Sequence, residues 1–130
     1  MTLAEIGALA LFQAGYDESD QPDFEPALTG YVNEGYQKLL RALDCGEMRL
    51  REQGDIPNLP LRLHRSLADY ACWMLMRNGN ALRQQRGAAF LQAFEAVCAE
   101  AASGRNRKLR FHGIDGPWEA EAFDPLKRNR

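Results

Sequence analysis

The side chains best suited to chemistry in this 130-residue chain are few and scattered. Its thiols are Cys45, Cys72 and Cys98, its imidazoles His64 and His112, and its densest carboxylates Asp17, Glu18, Asp20, Asp23 and Glu25. A thiol beside an imidazole would make a nucleophile. Cys72 and His64 could meet that way, but both lie on an apolar, helical segment where a packed thiol is the expected reading. His64 opens that segment and is expected to pack or cap there. The carboxylates lack the spacing of a calcium loop and read as a solvated acidic stretch. Without a CxxC pair no local zinc site is expected, and three dispersed cysteines make no disulfide framework, so a reducing cytoplasm is expected. No glycine cluster has a phosphate-binding spacing, and neither GxSxG nor HExxH occurs. Tyr31, Tyr36, Tyr70 and Trp73 fall at helical spacing and read as core or interface. The chain is expected to be no enzyme and to hold no metal or cofactor.

Composition points the same way. With 45% apolar and 26% charged residues the chain is an ordinary globular sequence of one-domain size. No apolar run is long enough to span a bilayer, and Met1 to Phe12, which lacks a leading basic residue and carries Glu5, is not expected to be a signal peptide. The net charge of −2 hides an asymmetry: residues 1–56 hold eleven acids against four bases, residues 57–130 seven against twelve. The acidic front disfavours a general DNA-coating role.

Four helices would position these groups. Thr2 and Glu5 form a capping-box signature for a helix over 3–15. Tyr16 to Phe24 reads as a loop. Pro26 can open a second helix over 26–44, with Leu28, Val32, Gly35, Leu39 and Leu43 on one stripe, Glu34 and Lys38 one turn apart, and Gly46 as its stop. Residues 47–61 break the helical period and read as an extended arm. A third helix over 63–76 is apolar on nearly every side in its last turns, so one face is expected to meet another subunit. Asn78-Gly79-Asn80 ends it and caps a fourth over 81–102. Arg83 and Arg86 oppose the dipole at the start of that helix, which hints at an acidic partner. The expected fold is all-α: a helical domain over 1–102 and an extended C-terminal docking arm over 103–130.

Interaction residues follow from the same pattern. Trp73, Met76, Arg83 and Arg86 are candidates for a subunit interface. In the tail, Arg105, Arg107, Lys108 and Arg110 form a basic cluster, and Lys108 to Phe111 alternates like a strand able to add to a partner's sheet. Together with Phe111, Trp118 and Phe123 these are the candidate partner-binding residues, since a solvated linker seldom carries such aromatics.

Two stretches carry a family resemblance: Tyr31-Val32-Asn33-Glu34-Gly35-Tyr36, and His64-Arg65-Ser66-Leu67-Ala68-Asp69-Tyr70-Ala71 after an arm ending in Leu59-Pro60. Over roughly residues 3–102 the chain resembles the small helical head–tail connector (adaptor) proteins of tailed bacteriophages. The resemblance implies a homo-oligomeric ring, usually a dodecamer, beneath the portal protein. Such a ring extends the DNA channel, lets genomic DNA pass without specific binding, and docks the tail or a stopper protein. It implies no catalytic residue, no membrane partner, and a place in the virion neck after assembly in the host cytoplasm. Unequal charge between the halves suits head-to-tail ring contacts. The alternative expectation is a small helical regulator that binds nucleic acid through residues 105–110.

Overall fold

The computed structural model describes the backbone of residues 1–110 and the side chains of residues 1–104. Among the described residues the chain forms α1 (Leu3–Gln13), α2 (Gln21–Ala42), α3 (His64–Met76) and α4 (Ala81–Arg110), and no strand. Short 3-10 turns at Glu18–Asp20 and Leu61–Leu63 lead into α2 and α3. The fold is all-α with four helices, as expected, and an irregular arm joins α2 to α3.

The capping box at α1 is present: the Thr2 hydroxyl accepts the Glu5 amide at 3.2 Å and the Glu5 carboxylate accepts the Thr2 amide at 2.8 Å. The Leu3 and Ala4 amides, which a helix cannot satisfy internally, donate to the Asp55 and Gln53 carbonyls of the arm at 2.8 and 3.0 Å. The helix stops two residues before the expected end. Gly15 takes a φ of +88°, and the Gly15 and Tyr16 amides turn back to the Phe12 and Leu11 carbonyls.

α2 begins at Gln21, not at Pro26, so the expected loop over 16–24 is largely a helix start. Asp17 accepts the Glu18 amide at 2.7 Å and Asp20 accepts the Asp17 amide at 3.0 Å. The acids of this stretch therefore initiate structure. Pro22 occupies the first turn, where its missing amide costs nothing, and Pro26 lies inside the helix, where one hydrogen bond is forfeited. Phe24 packs on Tyr16 with ring centroids 4.6 Å apart, holding that extra turn. At the other end the stop is Asp44, at a φ of 59°, with the Cys45 amide returning to the Leu40 carbonyl at 2.8 Å. Gly46, the expected stop, lies beyond it.

α3 is the central helix of the fold. It packs against α1, α2 and α4, and Leu67, Ala68, Ala71 and Cys72 are wholly buried. Trp73 and Leu75 stay half-exposed, and most of its apolar surface is covered by its own chain. Small residues allow this. Gly87 of α4 lies so close that a Cβ there would stand 2.9 Å from the Met76 Cβ and 3.1 Å from the Trp73 ring. Phe94, one turn further than Phe90, stacks against Tyr70 at 4.9 Å between centroids.

α4 starts as expected, with the Asn80 side-chain oxygen accepting the Arg83 amide at 2.9 Å. It does not stop at Ser103-Gly104 but continues to Arg110. A mid-helix glycine costs only about 1 kcal/mol relative to alanine, and the Arg, Lys and Leu residues that follow are good helix formers. Arg105, Arg107, Lys108 and Arg110 are thus helical residues, and the expected strand over 108–111 is overturned at 108–110. Phe111, Trp118 and Phe123 lie outside the described residues.

Candidate interaction site

The two stretches that carry the family resemblance meet face to face. Gly35 sits under Tyr70, whose Cδ2, Cβ and Cγ lie 3.1–3.2 Å from where a Cβ on residue 35 would be. The Tyr70 hydroxyl donates to Glu34, and Lys38 lies 5.9 Å from the Tyr70 ring centroid. Glu34 and Lys38 both turn to this tyrosine. Burial, followed by the bond and charge of Glu34, pushes the Tyr70 hydroxyl far above its ordinary value, so it stays a donor.

Asn33 and Tyr36 hold the arm. The Asn33 amide group donates to the Leu50 carbonyl at 2.8 Å and its oxygen accepts the Leu50 amide at 2.7 Å, pairing both backbone groups of one buried residue. The Tyr36 hydroxyl accepts the Asn58 amide at 2.8 Å and faces the Met48 sulfur. Gln37 donates to the Met48 carbonyl. One face of α2 therefore fixes the arm, and the arm's carbonyls in turn cap α1.

His64 closes the other end of the arm. Its Nε2 lies 3.0 Å from the Leu59 carbonyl and its Nδ1 2.9 Å from the Met1 amino group. A carbonyl can only accept and an ammonium can only donate, so both partners demand the neutral imidazole with its proton on Nε2. Burial, with the positive amino terminus adding to it against the Leu59 bond, lowers the His64 pKa. At and above neutral pH the folded and unfolded imidazoles are both uncharged and the contact contributes in full. As pH falls through the unfolded value of 6.5, the unfolded chain takes up a proton that the folded chain resists, and stability is lost. Melting temperature should fall between about pH 7 and pH 5, and His64→Gln should flatten that part of the profile. A profile identical in the variant would show that His64 has no such role.

Cys72 and His64 do not form a nucleophilic pair. They stand about 12 Å apart along α3, the Cys72 thiol lies 3.6 Å from the Met76 sulfur, and burial pushes its pKa up to about 12. Among the described residues no group of three His, Cys, Asp or Glu side chains gathers as metal ligands would. No described helix is long and apolar enough to cross a membrane.

Of the candidate interface residues, Met76 is buried against α4 and Trp73 is half-buried beside Gly87. Among the described residues Arg83 pairs with no acid. Its guanidinium donates to the Ala14 carbonyl at 3.1 Å and lies 5.3 Å from the Tyr16 ring centroid, tying the start of α4 to the end of α1. Only Arg86 of these four is exposed. Among the described residues the most exposed large apolar side chains are elsewhere: Phe12 at 77% exposure, Leu61 at 70%, Ile56 at 62% and Leu82 at 54%.

Two neighbouring depressions were not anticipated. The first, about 470 Å³ and open, runs between α2 and the start of the arm, lined by Asn33, Glu34, Gln37, Lys38, Arg41 and Arg49. Three of the four cations in residues 1–56 line it, although that part of the chain is strongly acidic. The second, about 240 Å³, lies among Lys38, Tyr70, Trp73, Leu91, Phe94 and Glu95. Lys38 belongs to both. The charge count could have flagged Lys38, Arg41 and Arg49 only if Arg49, on the arm, were known to fold back beside α2. No family model, curated protein or solved structure matches the chain.

Proposed function

We propose that this chain is a structural head–tail connector of a tailed phage: it forms a ring under the portal, extends the DNA channel, and offers the tail or stopper protein a docking surface. The observation that carries this reading is the lock between the two stretches on which the resemblance rests. Asn33, Glu34, Gly35 and Tyr36 brace the arm and receive Tyr70, while His64 pins the arm's far end. These residues are spent on holding a shape, which is what a connector's shared residues must do. Ring contacts would use the exposed apolar side chains Phe12, Ile56, Leu61 and Leu82 with Arg86, not α3, and would join two different patches head to tail.

Electron microscopy of the purified protein mixed with a tailed-phage portal protein tests the reading. Rings seated on the portal are the expected result. A monomer that ignores the portal overturns it. So does salt-dependent retardation of duplex DNA that is lost on removing residues 103–130, which would favour the nucleic-acid module instead.

A further inference from the structure

We infer that the paired depressions on α2 are the seat of this chain's own C-terminal segment, residues 118–124, docked within the same molecule. The inference stands apart from the connector reading. The first depression needs two chemistries at once. Lys38 and Arg49 line it beside Glu34 and ask for anions. Beside them the Gln37 side-chain oxygen is buried without a hydrogen-bond partner, because the Gln37 amide nitrogen is committed to the Met48 carbonyl. That oxygen asks for a donor. A phosphate backbone offers acceptors only, whereas a peptide carries carboxylates and amide N–H groups together. The second depression, joined to the first at Lys38, is walled by Tyr70, Trp73, Leu91 and Phe94 and suits an aromatic ring.

Beyond α4 the sequence contains one segment of that composition. Trp118-Glu119-Ala120-Glu121-Ala122-Phe123-Asp124 sets three carboxylates between and beside two aromatic rings, and residues 111–126 hold four acids and no Lys or Arg. The reach is sufficient. Arg110 ends α4 fifteen residues beyond Glu95, which borders the second depression, so the segment must return about 22 Å along the helix. The eight residues 111–118 span up to about 26 Å when extended.

Charge exchange in the full chain tests this, with cleavage by chymotrypsin after Trp118 and Phe123 as the readout. Lys38→Glu with Arg49→Glu should speed cleavage about tenfold, Glu119→Lys with Glu121→Lys should do the same, and all four together should restore protection, because cleavage tracks the undocked population. Protection should not change on hundredfold dilution. Both cations are at the surface, so circular dichroism should show the same helix content in every variant. Equal cleavage in all four proteins, failure of the combined variant to regain protection, or protection that fades on dilution, as a segment from another copy or a separate partner would give, overturns the inference.

Discussion

Asn33→Leu should destabilise the protein by about 3 kcal/mol and release the arm from α2. The leucine would fit the buried volume, but it would strand the Leu50 amide and carbonyl, which Asn33 alone satisfies at 2.7 and 2.8 Å. Each orphaned buried backbone group costs about 1–3 kcal/mol. Leu50 is 4% exposed, so water cannot replace the lost partner without opening the arm. Denaturant unfolding gives the magnitude, and hydrogen exchange at the Leu50 amide gives the place. Asn33→Asp is the informative companion: its oxygens can still accept from Leu50, but the donor to the Leu50 carbonyl is gone and a charge has been buried. A loss below about 1 kcal/mol in both variants would mean that the arm is held mainly by its apolar contacts.

The arm also explains how far the sequence could be read. Helix existence was legible from period alone, since Leu28, Val32, Leu39, Leu67 and Ala71 all fall where the 3.6-residue stripe places them, and all are buried. The Thr2 and Asn80 caps were legible because each depends on one local side chain. Ends decided by tertiary context were not. Pro26 looked like a helix start, yet the Asp17–Asp20 capping pair and the stacking of Phe24 on Tyr16 move the start five residues earlier. Ser103-Gly104 looked like a stop, yet nothing there forces a left-handed residue. How α3 is covered was not legible for a different reason. Its apolar content was plain, but Gly87 and Gly35 let two neighbours approach closely enough to cover it, and a glycine's packing role has no signature in periodicity. Likewise the hold of Asn33, Tyr36 and Gln37 on the arm was not legible, because their partners lie in an irregular segment that no pattern places.

Gly35→Val should have the second large effect, about 2–3 kcal/mol, because overpacking of 1–3 kcal/mol or more exceeds the few tenths that valine gains over glycine as a helix former. The position is confined: the first added carbon already stands 3.1–3.2 Å from three Tyr70 atoms. Tyr70 cannot swing aside freely, since its ring stacks on Phe94 and its hydroxyl is held by Glu34. Valine would therefore push α2 and α3 apart and strain the lock between the two stretches. The mechanism has its own check. In Tyr70→Ala the obstructing ring is gone, so adding Gly35→Val to it should cost little, and the double variant should be clearly more stable than the sum of the single changes predicts. Additive losses would show that residue 35 acts through its backbone and not through Tyr70. Tyr70→Phe separates the remaining term: it keeps the ring against Gly35 and removes only the bond to Glu34, for an expected loss of about 1 kcal/mol. If Gly35→Val leaves the helix content intact but shifts the unfolding midpoint by the full amount, the close approach of α2 to α3, and not the strength of either helix, sets the stability of the fold.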